Sequence, residues 1–513
     1  MKELIVHTAE GDWSIPFDGE PLLWDLLEET GDGSLSPDSQ KETEIVAIRS
    51  QRRPLSPFSP FAPRRDCGGK GICGKCAVYA RGETEPKPDE KGQVLACRAR
   101  LTGDAEVWLS RRQTVSAIET GGEMPGWVTA GQKTGLGVAA DIGTTTLVLR
   151  LLDLQSGKTM ATVARENPQR AVAADVIGRV DAAIHGGAGM LKSMVRGALE
   201  EMEQEAKRQA GCPDAEIAHR VVTGNTVMLS LYTGTDTEPL AHVPFRAADL
   251  FGKEWENTYL PRCMGAFVGA DITCAVLNSG LCREDGPAAL MDIGTNGEIA
   301  LWHEGKLFCC ATAAGPAFEG SGLSCGTGSV AGAIYSVKIA GNGFAVTTVD
   351  GKPPVGLCGS GLTDLAAALL DLGEMDETGA LESKEVRVAE NVSLTQKDVR
   401  QLQLAKGAMA AGLETLLKKA GLKPSDLKRL YIAGGFGSHL DLRSAERIGL
   451  IPASVRDRVT VIGNAALIGA QMILLDPKAA EEAEKIAQNA ECLNLGGDPD
   501  FSDAFTENML FPE

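Results

Sequence analysis

The stretch Val138-Ala-Ala-Asp-Ile-Gly-Thr-Thr-Thr146 and its later counterpart Leu290-Met-Asp-Ile-Gly-Thr-Asn-Gly297 decide the fold of this chain. In each, apolar residues lead into one aspartate, a glycine and short polar side chains, and a second apolar run follows. This pattern predicts a strand, a glycine turn and a second strand. Because the unit occurs twice, the sequence predicts two similar α/β lobes that face each other across a cleft.

The polar residues of these two turns are suited to binding phosphate. Backbone amides and hydroxyls on a tight turn can hold phosphate oxygens, and an aspartate at the strand end can hold Mg²⁺ through water. A third glycine turn, Ile432-Ala-Gly-Gly-Phe-Gly437, would let an adenosine lie against the backbone. Each turn alone is more often an ordinary hairpin. The three together predict a nucleotide and Mg²⁺ as ligands and suit phosphoryl transfer.

The three turns resemble those of the superfamily of acetate and sugar kinases, heat-shock chaperone ATPases and actin, over most of residues 136–513. The resemblance implies an actin-like ATPase domain with lobes at about 136–285 and 286–513, joined by hinge helices around Gly269 and Gly469. It implies catalytic roles for Asp141, Asp292 and Thr144. The implied nucleotide-binding residues are Asp141, Gly143, Thr144, Thr145 and Thr146 (the first phosphate motif), Asp292, Gly294, Thr295, Asn296 and Gly297 (the second phosphate motif), and Gly434, Gly435 and Gly437 (the adenosine motif).

Four cysteines near the N-terminus form a second candidate site. Three lie in Cys67-Gly-Gly-Lys-Gly-Ile-Cys73-Gly-Lys-Cys76, and Cys97 follows later. Glycines let such a loop curl closely around inorganic sulfides, and its amides can donate to the sulfurs. A zinc knuckle would present a second Cys-x-x-Cys pair, and four unligated buried thiols fit poorly with so polar a loop. The spacing therefore predicts a [2Fe–2S] cluster held by Cys67, Cys73, Cys76 and Cys97.

These cysteines resemble those of the [2Fe–2S] ferredoxin family, and their first spacing is similar to that of the vertebrate and bacterial hydroxylase members. The resemblance implies a β-grasp-like ferredoxin domain over residues 1–115. Residues 32–66 depart from that family, because their prolines and arginines predict an inserted exposed loop. The glycine-rich stretch 116–135 predicts a flexible linker. The remaining cysteines, Cys309 and Cys492 among them, are interpreted as scattered small core residues.

Composition and charge exclude several classes of function. The net charge of −19 would repel nucleic acid and an anionic membrane surface, so neither is an expected partner. No apolar run approaches the roughly 20 residues of a membrane-spanning helix. The N-terminus lacks the apolar core of a signal peptide, which predicts a cytoplasmic protein. In a reducing compartment the 13 cysteines indicate metal ligation, redox chemistry or core packing rather than disulfides.

A ferredoxin joined to an ATPase resembles the reductive activators of corrinoid proteins. That resemblance extends to two further segments, Thr312–Gly320 and Cys358–Asp364. It implies ATP-dependent transfer of one electron to a Co(II) corrinoid protein of a methyltransferase system, which restores Co(I) for methyl transfer. It also implies an upstream electron donor, and a homodimer is an open possibility. Such proteins often carry a middle domain between ferredoxin and ATPase, which this chain is expected to lack.

Two other functions remain open from the sequence. One is ATP-driven electron donation to another low-potential enzyme of anaerobic metabolism, such as a dehydratase. Activators of that class usually bridge a [4Fe–4S] cluster between subunits, and the internal cysteine motif argues against this. The other is a non-enzymatic, nucleotide-switched protein that binds and remodels a partner. In the loop 319–325, Ser321 and Ser324 are candidate partner-facing residues, and a purely structural turn is the alternative.

Overall fold

The computed structural model describes residues 2–8, 11–28, 76–89, 92–109, 124–341 and 343–512. The chain divides into two compact units. The first comprises Met1–Gln113 with Pro168–Ala174, and the second comprises Thr114–Asn167 with Asp175–Glu513. The predicted insertion at 32–66, the ligands Cys67 and Cys73, and residues 116–123 of the predicted linker lie outside the described residues.

The first unit is built on a five-stranded sheet with the order β2-β1-β5-β3-β4. Strands β1 and β5 are parallel, whereas β2, β3 and β4 pair antiparallel with their neighbours. Leu23 and Leu27 of a short helix are buried in the same core as Val6 and Leu101 of the sheet. The assignment to the ferredoxin family stays a prediction. The elements are β1 (Lys2–Thr8), β2 (Gly11–Phe17), α1 (Leu23–Glu28), β3 (Ala77–Glu85), β4 (Gln93–Leu95) and β5 (Arg100–Trp108).

The second unit contains two six-stranded sheets, with the orders β10-β11-β9-β6-β7-β8 and β21-β20-β12-β13-β14-β22. In both, three consecutive antiparallel strands are followed by a parallel strand beside the first of them. The repeated turns of the sequence therefore belong to two sheets of like topology. The strands of the first sheet are β6 (Leu136–Ile142), β7 (Thr146–Asp153), β8 (Thr159–Glu166), β9 (Ile217–Gly224), β10 (Lys253–Trp255) and β11 (Thr258–Leu260).

Two small sheets contribute to the same half of the unit, and their strands lie along the chain between β14 and β20 of the second large sheet. The strands of the second six-stranded sheet are β12 (Ala288–Ile293), β13 (Gly297–His303), β14 (Lys306–Thr312), β20 (Arg429–Ala433), β21 (Val459–Gly463) and β22 (Ala490–Leu493). Those of the small sheets are β15 (Ala333–Ala340), β16 (Gly343–Thr348), β17 (Gly356–Leu357), β18 (Glu385–Ala389) and β19 (Val392–Thr395).

Helices cover these sheets, and polar side chains cap several of them. Thr395 and Asp398 form a reciprocal capping box at the start of α7, which satisfies backbone N–H groups that a helix leaves unpaired. The helices are α2 (Val176–Ala182), α3 (Ala188–Gln209), α4 (Thr226–Thr233), α5 (Ala270–Ser279), α6 (Gly359–Leu372), α7 (Gln396–Lys419), α8 (Leu442–Arg447), α9 (Ala465–Leu475), α10 (Pro477–Gln488) and α11 (Pro499–Glu507). No described helix is long and apolar enough to cross a membrane.

One hydrophobic core is shared by the two large sheets. It contains Ala139 of β6 and Leu290 of β12, together with Ile272 of α5 and Leu467 of α9. The helices expected around Gly269 and Gly469 therefore lie in the core that joins the lobes. Their boundaries differ from the prediction, because Gly269 caps α5 from outside whereas Gly469 lies inside α9. The two segments are thus only partly equivalent.

The second half of the predicted linker is packed within the second unit. Trp127 lies under the guanidinium of Arg283, 4.1 Å from its ring centroid. The amide of Thr129 donates to the Asp476 carboxylate at 3.1 Å, and Lys133 donates to a backbone carbonyl at 2.9 Å. The prediction of a flexible tether is therefore wrong for residues 124–135. Glycine content indicated flexibility there, but aromatic and polar side chains between the glycines hold the segment in place.

Candidate functional site

The first phosphate motif is the turn between β6 and β7. Asp141 is near the end of β6, and Gly143, Thr144 and Thr145 connect that strand to Thr146, the first residue of β7. A Cβ on Gly143 would lie 2.5 Å from the carbonyl oxygen of Thr146, so the turn can close this tightly only with glycine. The glycine that the sequence singled out therefore has a steric role.

Thr144 is held from several sides. Its hydroxyl accepts from the amide of Asn225 at 3.1 Å and from that of Asn296 at 3.4 Å. Its carbonyl accepts from the buried guanidinium of Arg179 at 2.6 Å. Asn296 belongs to the second phosphate motif, so this contact joins the two motifs. The arrangement supports a positioning role for Thr144 as readily as the predicted catalytic one.

The second phosphate motif faces the first across the cleft. Asp292 is near the end of β12, and Gly294, Thr295 and Asn296 connect that strand to Gly297 at the start of β13. The hydroxyl oxygens of Thr145 and Thr295 are 3.0 Å apart. The structure therefore brings together the two turns that the sequence predicted to oppose each other.

Glu319 bridges the two phosphate motifs. Its carboxylate accepts from the backbone amide of Thr295 at 3.0 Å and also from the hydroxyls of Thr145 and Thr295. Glu319 ends the short 3₁₀ helix Pro316–Glu319, which follows β14. One acidic side chain thus accepts hydrogen bonds from both halves of the predicted nucleotide site.

The adenosine motif reaches the same cleft. Gly434 follows β20 with a φ of +95°, and its amide donates to the carbonyl of Gly463 at 2.9 Å. A Cβ on Gly434 would lie 2.8 Å from Oδ1 of Asp292, so the absence of a side chain allows this turn to pass the second phosphate motif. Gly435 begins the 3₁₀ helix Gly435–His439, which contains Gly437.

Two family models match the part of the chain that forms this cleft. Residues 287–513 match the C-terminal domain of RACo, described as the ASKHA domain, and residues 136–284 match the RACo middle region. The chain belongs to the RACo family. The actin-like ATPase fold expected from the three glycine turns is confirmed. The expectation that a middle domain is absent is wrong, because residues 136–284, taken from the sequence as an ATPase lobe, are that middle region.

Curated relatives and a solved structure agree with this assignment. The chain is 29% identical to the corrinoid activation enzyme RamQ of Eubacterium limosum, over 87% of this chain and 93% of that protein. It is 25% identical to the [Co(II) methylated amine-specific corrinoid protein] reductase of Methanosarcina barkeri, over 69% and 72% of the two chains. The solved structure of a reductive activator for a corrinoid, iron-sulfur protein matches with a TM-score of 0.69 and 26% identity, over 100% of this chain and 99% of that one.

Buried carboxylates give this RACo-family cleft an unusual protonation state. Burial raises the pKa of Asp141, Asp271 and Asp292 to about 7, and repulsion from neighbouring acids adds to this. An amide hydrogen bond from Asn464 to Asp141, 3.4 Å long, opposes the shift. Burial, followed by repulsion from Asp271, also raises the pKa of Glu298 well above its ordinary value. A divalent cation would relieve this repulsion, so the donor set fits Mg²⁺.

The described residues do not include a group of three or more acidic, histidine or cysteine side chains arranged to bind a metal directly. An ion held through water by Asp141 and Asp292, as the sequence predicts, would not need such a group. For the iron–sulfur site only two of the four predicted ligands are described. Cys76 and Cys97 are buried, with their sulfur atoms 3.2 Å apart. Two thiols this close can bind one cluster, so the described pair fits the predicted [2Fe–2S] group.

The two predicted partner-facing serines differ in exposure. Ser321 is 4% exposed, so the prediction that it faces a partner is wrong for this conformation. Ser324 is exposed, but its hydroxyl and its backbone amide both donate to the carboxylate of Asp398 at the start of α7. A glycine-rich loop predicts exposure from composition, whereas the packing of the loop on α7 decides which side chain turns inward.

Several residues of the site were not assigned to it from the sequence. They lie on elements other than the glycine turns and reach the cleft only in the fold. Asn225 and Asn464 also cap α4 and α9, so an asparagine before an apolar helix was the available signal. Asp271 has no motif of its own, and Glu319 lies in the segment Thr312–Gly320, to which the sequence assigned no role in the nucleotide site. The residues concerned are Arg179, Asn225, Asp271, Glu298, Glu319 and Asn464.

Proposed function

We propose that this chain is an ATP-dependent reductive activator, which transfers one electron to the Co(II) centre of a corrinoid protein and returns it to Co(I). Its place in the RACo family and the names of its curated relatives support corrinoid activation. The observation that carries the proposal is that one chain combines a close buried cysteine pair with a cleft lined by two opposed phosphate motifs.

The nucleotide half of the activity rests on the cleft. Thr145 and Thr295 offer hydroxyls and a backbone amide at one point, which are the donors that phosphate oxygens require. Asp141 and Asp292 would hold Mg²⁺ through water and so offset the charge of the phosphates. Gly434 leaves room beside Asp292 for the rest of the nucleotide. Nucleotide hydrolysis would then depend on positioning and on electrostatic stabilisation, as it does at other phosphoryl-transfer sites.

The electron-transfer half rests on Cys67, Cys73, Cys76 and Cys97. A [2Fe–2S] cluster on these thiolates would supply one electron at a potential near about −400 mV. Reduction of Co(II) is expected to be uphill from there, and each 59 mV costs about 1.4 kcal/mol for one electron. ATP would therefore act by changing the affinity of the cleft-bearing unit for the corrinoid protein in its two oxidation states. An upstream electron donor must reduce the cluster again after each turnover.

The decisive experiment follows cobalt directly. Reduced protein is mixed without oxygen with a Co(II) corrinoid protein, and the spectrum of Co(I) is recorded with and without ATP. We expect Co(I) to form quickly only with ATP. Equal rates in the two samples would refute the ATP-dependent mechanism.

Two variants divide the activity into its halves. Cys97→Ser should abolish Co(I) formation while nucleotide binding persists, because it removes a predicted cluster ligand. Thr295→Val should weaken nucleotide binding while iron content persists, because it removes a phosphate donor. An activator of a dehydratase would leave the corrinoid spectrum unchanged, and a nucleotide-switched binding protein would hydrolyse ATP without any cobalt reduction.

A further inference from the structure

Glu319 has more hydrogen bonds to the phosphate motifs than either motif has to the other. Its carboxylate accepts three, from the amide and hydroxyl of Thr295 and from the hydroxyl of Thr145. The side chain is held so closely that a Cβ on Gly294 would lie 3.2 Å from its Oε1 atom. The carboxylate therefore lies directly on the second phosphate motif and reaches across to the first.

The donors that Glu319 engages are the kind that a phosphate would engage. A carboxylate and a phosphate both present anionic oxygens, and both are bound well by backbone amides and hydroxyls on a glycine turn. With the Thr145 and Thr295 hydroxyl oxygens 3.0 Å apart, the gap between the motifs is filled by hydrogen bonds within the protein. A phosphate group cannot occupy this point until the carboxylate leaves it.

We propose that Glu319 is an internal phosphate mimic, which latches the two phosphate motifs together in the nucleotide-free protein and is displaced by a nucleotide phosphate. This inference rests on the proposed nucleotide site and adds a regulatory step to it. The closed arrangement of the motifs then requires no nucleotide, and the nucleotide replaces one bridging anion by another.

The latch has a consequence for charge as well as for geometry. Glu319 is one of the acids whose repulsion raises the pKa of Asp292 and Glu298. When its side chain swings away, room and donors are freed at the point where Mg²⁺ would accompany the phosphate. Apparent affinity for the nucleotide is reduced by the fraction of molecules in which the latch is closed. A variant without the carboxylate should therefore bind nucleotide more tightly.

The first test measures the latch without any nucleotide. Hydrogen exchange of the Thr295 amide is compared in the wild type, Glu319→Gln and Glu319→Ala. We expect exchange at least about tenfold faster in Glu319→Ala, because the acceptor of that amide is lost. Glu319→Gln keeps a weaker acceptor, so its rate of exchange should lie between those of the wild type and Glu319→Ala. Unchanged exchange in both variants would overturn the proposal.

The second test measures affinity for ADP and for a non-hydrolysable ATP analogue by calorimetry. Glu319→Ala should bind each about tenfold more tightly than the wild type, which corresponds to a latch open in about one molecule in ten. Glu304→Gln is the control, because it removes the same charge from an exposed position just beyond the other end of β13, away from the second motif. Equal tightening in the control, or weaker binding by Glu319→Ala, would refute the latch.

These two tests separate the latch from the proposed function. If no form of the protein bound nucleotide, the proposed function would fail, while the exchange of the Thr295 amide would still decide whether Glu319 holds the motif. Thermal unfolding of each variant shows whether it is folded. Should Glu319→Ala fail to fold, Glu319→Gln supplies both readings, with smaller expected changes in the same directions.

Discussion

Gly469 in α9 lies so close to Cys274 in α5 that a Cβ built on the glycine would be 2.2 Å from the Cys274 carbonyl oxygen. The two helices come from opposite halves of the second unit and cross within the core that both large sheets share. Because no side chain separates their backbones here, the two helices are in direct backbone contact at this point. This crossing is where we expect the two lobes to pivot.

The first prediction concerns this crossing. Gly469→Ala should lower the free energy of unfolding by about 2 kcal/mol, because the added methyl meets rigid backbone and overpacks the core. Gly197→Ala is the control, since a Cβ at Gly197 in α3 would have no atom within 4 Å. It should stabilise the helix by about 0.5–1 kcal/mol. Urea unfolding measures both, and equal effects of the two substitutions would contradict the close-crossing argument.

The second prediction concerns the adenosine motif. Gly434→Ala should weaken ATP binding by about tenfold or more, because the methyl would push against Asp292 and Ile293. Gly421→Ala separates this effect from backbone strain. Gly421 also has a positive φ, +71°, but a Cβ there would meet nothing within 4 Å. The control should lose about 1 kcal/mol of stability without a change in the dissociation constant for ATP. If both variants bound ATP equally well, Gly434 would have no role at the site.

The third prediction concerns pH. Burial raises the pKa of Asp141, Asp271 and Asp292 above the unfolded value of about 4, to about 7 in the folded protein. The folded state therefore holds protons that the unfolded state has lost, so stability falls as pH rises from about 4 to about 7. The melting temperature of the nucleotide-free protein should fall across this range. The melting temperature of the Asp271→Asn variant should fall less steeply.

Magnesium provides a second reading of the same effect. Since the cation would offset repulsion between ionised carboxylates, Mg²⁺ should raise the melting temperature more at about pH 8 than at about pH 5. A pH-independent effect of Mg²⁺ in the wild type would show that the ion binds elsewhere.

The fourth prediction concerns the cysteine pair of the first unit. Cys97→Ser, prepared without oxygen, should lose the visible absorbance and most of the iron of the wild type, because one of four thiolate ligands is removed. Cys212→Ser should keep both, since Cys212 belongs to the second unit and is not one of the four predicted ligands. Iron analysis and electron paramagnetic resonance measure the outcome. A colourless wild type without iron would refute the cluster altogether.

The fifth prediction concerns Cys309 and Cys492, which were interpreted from the sequence as separate core residues. They are neighbours on the parallel strands β14 and β22, with sulfur atoms 2.9 Å apart. The hydrogen bond from Cys309 lowers the pKa of the exposed Cys492 thiol, and the pKa of Cys309 is raised in return. A maleimide should therefore modify Cys492 first at about pH 7, and Cys309→Ala should slow that reaction. Mass spectrometry identifies the site, and preferential labelling of Cys309 would contradict this order.

Part of the site was predictable because its signal is local. The turns at Gly143 and Gly294 each contain their aspartate, glycine and hydroxyls within a few consecutive residues, so the sequence shows their chemistry directly. The duplication then predicted that the two turns would face each other, and the 3.0 Å approach of Thr145 to Thr295 agrees with it. Composition gave a wrong expectation where packing decides the outcome. Residues 124–135 are rich in glycine, yet Trp127 and Thr129 hold them in place within the second unit.

The sequence by itself determined the strand–turn–strand units, the donors of the phosphate motifs and the pattern of the four cysteines, because these depend on neighbours along the chain. Only the tertiary structure decided that Glu319 bridges both motifs, that Asp271 joins the buried acids and that Gly469 crosses Cys274. These relationships join residues from separate elements. Their energies come from burial and from contact across the fold, which no short stretch of sequence contains.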